Sequence, residues 1–184
     1  DRGKYKAGWE FMKDNKKHAH PYRFYSYANT IVDNDGDMEL AEQIATAGVE
    51  KATKYYEDPE EDKPVEMTKE KWKNQRALFL GNNLYAYGKI LYEKGNKEEA
   101  VSKLERAVEL ANRTDVDFNE LYTKALVETG QNEKALKELK DFIKSGTAKS
   151  SMQDFYKDAY VAVNGSDEGL SASLNELTSA ADQK

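Results

Sequence analysis

The stretch that decides the fold runs from Gly81 to Thr114 and reads GNNLYAYGKILYEKGNKEEAVSKLERAVELANRT. On both sides of Gly95, apolar and small residues recur at i, i+3, i+4 and i+7, the spacing of one face of an α-helix. We therefore predict two amphipathic helices joined at Gly95. Their apolar faces comprise Leu84, Tyr87, Gly88 and Leu91 in the first helix, and Ala100, Val101, Leu104, Ala107, Val108 and Ala111 in the second.

The pattern recurs with a period of 35 residues. A fixed period in this range is typical of stacked helical hairpins. A weaker copy surrounds Gly36, and its distance of 59 residues from Gly95 exceeds one period, which indicates an insertion between the two copies. The repeated positions are the glycines Gly95, Gly130 and Gly165, with Leu91, Leu126 and Val161 four residues before them and Leu104, Leu139 and Leu174 nine residues after them.

Composition excludes several classes of function. The net charge is −6, and lysine and glutamate alternate along the predicted helices, so the basic stripe that a nucleic-acid-binding protein needs is missing. No run of about 18 apolar residues is present, so we predict no membrane span. The chain has no cysteine, which excludes disulfides, thiolate catalysis and cysteine-ligated zinc within it.

We predict an all-α chain of about nine helices without strands. The segment from Glu57 to Pro64 contains two prolines and five acidic residues, a composition that resists helix formation. Thr68 is placed to cap a helix that either continues to Lys94 or breaks near Gly81. Asp117, Ser151 and Ser166 are the predicted starts of three later helices. The predicted organisation is residues 1–56 as N-terminal helices with a degenerate repeat, 57–67 as an acidic linker, and 68–184 as three helical hairpins.

The repeated pattern resembles the tetratricopeptide repeat. The match to this repeat is fullest between Gly81 and Thr114, and the later copies depart from the repeat pattern. Asp158 stands where a small residue is usual, and Asn112 stands where a helix-closing proline is common. The resemblance implies antiparallel helical hairpins stacked as a right-handed solenoid. The residues that carry it are Leu84, Tyr87, Gly88, Leu91, Gly95, Ala100, Leu104 and Ala107.

A narrower resemblance covers the segment from Tyr160 to Leu170, YVAVNGSDEGL. It is similar to the end of the helical region that precedes a thioredoxin-like domain in certain bacterial envelope proteins. This implies that the chain is the helical part of a thiol–disulfide protein, with a C-terminal thioredoxin-like domain as its partner. The implied location is the periplasm or cell envelope, and the alternative is the cytoplasm. A homodimer is a further expectation.

Neither histidines nor aspartates form a convincing metal site in the sequence. His18 and His20 are two residues apart, so their side chains would point to different sides of a helix. Asp33, Asp35 and Asp37 imitate a calcium loop, but Gly36 interrupts the required register. We therefore predict no metal and no cofactor, and we predict that Asp37 caps the following helix.

The resemblance also implies a concave groove lined by the first helix of each hairpin. Only Lys89 matches the lysine, asparagine and arginine clamp with which some relatives hold a peptide carboxylate. For Tyr85 and Tyr92, packing against a neighbouring helix is an equally good interpretation. The predicted groove and partner-binding residues are Tyr85, Lys89, Tyr92, Glu120, Lys124, Glu128, Met152 and Phe155.

The expected function is that of a non-catalytic helical-repeat scaffold for protein interactions. No nucleophile with a neighbouring base can be assembled from the motifs, so we predict no catalytic residue and no enzymatic activity for this chain. The alternative is a stand-alone tetratricopeptide protein that binds a peptide or a small ligand.

Overall fold

The computed structural model describes residues 2–15, 19–58, 60 and 63–181. Within these residues the chain forms nine α-helices and no strand, which confirms the prediction of an all-α fold. None of these helices has both the length and the apolar character needed to cross a bilayer. In chain order the helices are α1 Arg2–Asp14, α2 Pro21–Asp33, α3 Met38–Glu57, α4 Lys69–Glu93, α5 Lys97–Leu110, α6 Val116–Glu128, α7 Asn132–Ser145, α8 Met152–Asn164 and α9 Leu170–Ala181.

The chain divides into two compact units, Asp1–Leu110 and Ala111–Lys184. In the first unit, α3 packs against both α2 and α4, α2 packs against α4, and α5 packs against α4. The rings of Trp9 and Phe24 meet edge to face at 6.5 Å and join α1 to α2. The predicted division at residues 57–67 stays a prediction. The fully buried side chains at the centre of this unit include Phe24, Ala28, Ile31, Ile44 and Ile90.

In the second unit, α7 is the central helix and packs against α6, α8 and α9. Helix α8 also contacts α6 and α9. The buried residues repeat every three or four positions along α6 and α7, as expected for helices that bury one face. The largest fully buried side chains of this unit are Tyr122, Leu126, Leu139, Phe142, Met152 and Tyr156.

The periodic glycines terminate helices. Gly95, Gly130 and Gly165 follow α4, α6 and α8 and have φ values of 86°, 73° and 75°. This left-handed conformation is readily adopted by glycine and closes a helix by redirecting the chain. The 35-residue period therefore marks the end of each of these three helices. In the weaker copy, Asp35 and not Gly36 has the positive φ, at 49°.

Two predicted helix caps are confirmed. The carboxylate of Asp37 accepts hydrogen bonds from the backbone N–H groups of Glu39 and Leu40 at the start of α3. The hydroxyl of Thr68 accepts one from the N–H of Lys71 at the start of α4. Helix α4 is continuous over 25 residues, so it does not break at Gly81.

Other helix starts differ from those expected. The cap of α6 is Asp115 and not Asp117, because the Asp115 carboxylate accepts from the N–H groups of Asp117 and Phe118. Helix α9 begins at Leu170, four residues after Ser166. Ser151 stands at the cap position of α8, but its hydroxyl makes no capping bond and donates instead to Glu120.

Candidate functional site

Helices α2 and α4 run side by side in the same direction. At the N-terminal end of α2, the amide nitrogen Nδ2 of Asn83 donates to the carbonyl of Pro21 at 3.1 Å. At the C-terminal end, the Nζ of Lys89 lies 2.5 Å from Oδ1 of Asp33. Pro21 precedes Asp33 on α2, and their partners Asn83 and Lys89 come in the same order on α4. The two helices therefore run parallel.

These contacts define a surface that we call the α2–α4 face. It comprises Tyr25, Asn29 and Asp33 on α2, and Tyr85 and Lys89 on α4. Within each helix the members are four residues apart, so they share one side of that helix. The Nζ of Lys89 lies 3.4 Å from Oδ1 of Asn29. Tyr25 and Tyr85 each lie one turn earlier, which places the two half-buried tyrosines at the same level of the face.

The polar end of the face is a closed network of three side chains. The Nδ2 of Asn29 donates to Oδ2 of Asp33 at 2.8 Å, while Lys89 binds the other carboxylate oxygen. The Lys89 side chain is 20% exposed and that of Asp33 is 49% exposed. The carboxylate therefore stays accessible to a ligand while its charge is balanced by a lysine that is largely withdrawn from water.

An open depression adjoins this network where α2 turns into α3. Its volume is about 440 Å³. Its lining includes both apolar and charged groups. The lining residues are Val32, Asp33, Asp35, Gly36, Met38, Lys89 and Glu93. The α2–α4 face thus has tyrosine rings at one end, and a balanced ion pair beside a depression at the other. Such a surface can receive an extended peptide, whose side chains would pack against the rings and whose backbone groups would bind the polar network.

Tyr92 lies outside this face. It is 8% exposed, and the Nζ of Lys97 lies 5.3 Å from the centre of its ring. Because Lys97 begins α5, the Tyr92 ring contributes to the contact between α4 and α5. We therefore leave Tyr92 out of the candidate face, and its predicted role in a groove stays a prediction.

In the second unit, Glu120 belongs to an ion-pair cluster at the start of α8. Lys149 Nζ lies 2.6 Å from the Glu120 carboxylate and 2.5 Å from that of Asp117, and the Ser151 hydroxyl donates to Glu120. Burial alone would raise the pKa of Glu120, but the hydrogen bonds from Lys149 and Ser151 outweigh it and lower the pKa. The same carboxylates raise the pKa of Lys149. The cluster fixes the loop before α8 onto α6.

The remaining predicted residues are distributed between surface and core. Lys124 and Phe155 are half-buried, and Glu128 is exposed. Met152 is fully buried, and its Sδ accepts a weak hydrogen bond from the backbone N–H of Lys149 at 3.3 Å. Met152 therefore packs inside the second unit, and the predicted role of these residues in a groove stays a prediction.

The sequence missed Asn29 and Asp33 because they lie on the weaker repeat copy. The repeat pattern came close to pairing Asn29 with Lys89, because aligning Gly36 with Gly95 relates residues that are 59 positions apart in the sequence. Asn29 and Lys89, which are in contact, are 60 positions apart. A one-residue difference on a helix turns a side chain by about 100°, so the alignment pairs Asn29 with Gly88 instead of Lys89.

His20 has a structural role. Its Nδ1 accepts a hydrogen bond from the backbone N–H of Tyr22 at 3.2 Å and so caps α2. His18 lies outside the described residues. Among the residues that are described, no group of three or more histidine, aspartate and glutamate side chains is arranged to hold a metal ion.

Comparisons of the chain with protein-family models, curated proteins and solved structures gave no match.

Proposed function

We propose that the chain is a non-catalytic helical-repeat module that binds a protein or an extended peptide on the α2–α4 face. The observation that carries this proposal is the parallel alignment of α2 and α4, which closes the network of Asn29, Asp33 and Lys89. Tyr25 precedes Asn29 by one turn on α2, and Tyr85 precedes Lys89 by one turn on α4. Tyrosine is enriched in protein-binding surfaces because it offers a large contact area at low entropic cost.

The order of helix packing supports a tetratricopeptide-like arrangement. In the first unit, α2 packs against α3, and both pack against α4, which packs in turn against α5. In the second unit, α6 likewise packs against α7, and both pack against α8, but α9 packs mainly against α7. We propose that each unit is built from two stacked helical hairpins of a right-handed solenoid, as the repeat period indicates.

The proposed module has no catalytic step. The titratable groups at the polar end of the face are Asp33 and Lys89, and each is neutralised by the other at 2.5 Å. Among the residues that the structure describes, neither forms an ion pair with a second charged group that would activate it as a base or a nucleophile. Presentation of fixed side chains is the activity that this geometry supports, and we propose no cofactor.

Two variants test the proposal. Lys89→Met removes the cation of the face but keeps the length of the side chain. Lys103→Met is the matched control on α5, where Lys103 also contacts a carboxylate, that of Glu99, and an aromatic ring, that of Tyr87. Peptides selected from a random library against the intact chain should lose affinity about tenfold for Lys89→Met and keep it for Lys103→Met. Equal affinity for both variants would contradict the proposal.

We also propose a thioredoxin-like domain as the natural partner and the bacterial envelope as the location, on the resemblance of residues 160–170. In the structure this segment joins α8 to α9, and the hydroxyl of Tyr160 donates to the carbonyl of Glu168 at 2.7 Å. A downstream sequence containing Cys-x-x-Cys would support this partner. A downstream sequence without one would leave the alternative, a stand-alone peptide- or small-ligand-binding protein.

A further inference from the structure

The N-terminal hairpin has a charge opposite to that of the rest of the chain. Residues 1–33, which end with α2, contain seven lysines and arginines against four aspartates and glutamates, a formal charge of +3. The complete chain carries −6, so the remaining residues carry −9. A charge asymmetry of this size attracts a partner of the opposite sign to the hairpin.

An open, largely apolar pocket lies between α1 and α2. Its volume is about 350 Å³. It shares no lining residue with the α2–α4 face, although the ring of Tyr22 in the pocket lies 5.6 Å from the ring of Tyr25 on that face. Tyr22 on its wall is 51% exposed, and Phe11, which precedes the lining residue Met12, is 65% exposed. Exposed aromatic side chains around a concave apolar surface are typical of binding sites. The pocket is lined by Gly8, Met12, Tyr22, Arg23, Ser26 and Tyr27.

The pocket is preformed by a close approach of Tyr27 to α1. A Cβ atom at Gly8 would lie 2.0 Å from the Tyr27 hydroxyl, so glycine is required for the ring to reach the helix. That hydroxyl lies within hydrogen-bonding distance of the carbonyls of Lys4 and Tyr5, at 3.2 and 3.1 Å. Burial, and secondly the neighbouring Tyr5, raise the pKa of Tyr27. A fixed wall lowers the entropic cost of binding.

Arg23 supplies the specific polar group. It is the charged residue of the lining, it is exposed, and its guanidinium makes no ion pair within the described part of the chain. A guanidinium binds a carboxylate with two parallel hydrogen bonds. The site therefore combines an apolar pocket with an exposed guanidinium at its edge.

A membrane surface fits this site less well than an acidic peptide. An interfacial helix must turn its apolar stripe toward the lipid. The apolar stripe of α1 is used inside the protein, because Trp9 is 6% exposed and packs on Phe24. Only isolated aromatic side chains of this hairpin remain exposed to solvent. They can contact one or two side chains of a bound peptide, but they do not form a stripe that could enter a lipid surface.

We infer that the α1–α2 pocket binds an acidic peptide segment, with a large apolar side chain in the pocket and a neighbouring carboxylate on Arg23. This second site uses none of the residues of the α2–α4 face. Its predicted ligand has the chemistry of an apolar residue flanked by aspartate or glutamate.

The test uses a fluorescein-labelled octapeptide with a central Leu-Phe pair flanked on each side by two glutamates, titrated with the intact chain. Two matched peptides carry lysines in place of the glutamates, or Ala-Ala in place of Leu-Phe. The acidic Leu-Phe peptide should bind at least tenfold more tightly than either. If it does not bind, or if the lysine peptide binds equally well, the inference is wrong.

Variants locate the binding. Arg23→Gln should weaken the acidic peptide about tenfold, while Arg106→Gln on α5, a matched exposed arginine, should not. Ser26→Trp should fill the pocket and abolish binding, and Lys89→Met should leave it unchanged. Because Arg23 and Ser26 are exposed, these variants should keep the parent melting temperature. Phosphatidylserine vesicles test the competing membrane site. If the parent chain binds these vesicles but none of the peptides, and Arg23→Gln loses the vesicle binding, the inference is overturned in favour of a membrane site.

Discussion

The side-chain oxygen of Asn83 occupies the place where a Cβ atom of residue 48 would lie. An ideal Cβ built on Gly48 would be 2.1 Å from Oδ1 of Asn83 and 2.7 Å from Cβ of Phe24. Asn83 is fully buried, and its Nδ2 donates hydrogen bonds to the carbonyls of Pro21 and Phe79. The small residue on α3 thus allows one asparagine on α4 to position the start of α2.

Gly48→Ala should therefore destabilise the fold. Alanine favours a helix over glycine by about 1 kcal/mol, but the overlap with Asn83 and Phe24 should cost more, for a net loss of about 1–3 kcal/mol. Urea denaturation measures this free energy of unfolding. In an Asn83→Ala background the same change should cost less, because one of the two obstructing groups is gone. Equal costs in both backgrounds would show that the two residues are not coupled.

Gly88→Ala should also destabilise the fold, through the contact of α4 with α5. A Cβ at Gly88 would lie 2.8 and 2.9 Å from side-chain atoms of Leu104, which is fully buried and cannot move aside freely. We expect a loss of about 1–3 kcal/mol, and a larger loss for Gly88→Leu. In the Leu104→Ala background, Gly88→Ala should be neutral or stabilising. A stable Gly88→Leu variant would contradict the close packing of these helices.

Much of the helix order could be predicted from the sequence, because it depends on local patterns. The caps at Asp37 and Thr68 and the three glycine ends follow from the chemistry of a few neighbouring residues. Asp115 and Asp117 are both suitable caps and stand two residues apart, so composition alone does not decide between them. Ser151 failed as a predicted cap because its hydroxyl finds a stronger acceptor, the carboxylate of Glu120, on another helix.

The candidate face could be predicted only in part, because it depends on contacts between distant segments. The repeat pattern points to Lys89, but its partners Asn29 and Asp33 lie about 60 residues earlier, outside the reach of a local pattern. The burial of Arg76 has the same origin. Nothing near Arg76 in the sequence indicates that it is 3% exposed and bound to the end of α3.

Replacing Arg76 should loosen the C-terminal end of α3. Its Nη1 donates to the carbonyls of Tyr55, Tyr56 and Asp58 at 2.7, 2.9 and 2.9 Å. Arg76→Met should leave these acceptors unpaired and lower the free energy of unfolding by about 1–3 kcal/mol. The exposed Arg106 is the control, and Arg106→Met should change stability by less than about 0.5 kcal/mol. Similar effects of the two variants in urea denaturation would argue against this capping role.

Acid should weaken the second unit through Glu120. The folded structure lowers the pKa of Glu120 below its ordinary value of 4.5. The ionised carboxylate therefore stabilises the fold fully above that value, and the stabilisation is lost as the pH falls through the lower folded-state pKa. Glu120→Gln should reduce stability at pH 7 and have less effect at pH 3. Glu176→Gln, an exposed change on α9, should not show this dependence in denaturation curves recorded at the two pH values.

The most direct measurement of the central claim is a map of peptide binding by ¹H–¹⁵N NMR. A peptide selected against the Ser26→Trp variant, in which the α1–α2 pocket is filled, is added stepwise to the intact, ¹⁵N-labelled chain, and the backbone signals that move are assigned. We predict the largest shifts at Tyr25, Asn29, Asp33, Tyr85 and Lys89, and much smaller shifts in the same residues when the Lys89→Met variant is titrated. Shifts confined to other surfaces, with the α2–α4 face unchanged at saturation, would contradict the assignment of this face as the binding site.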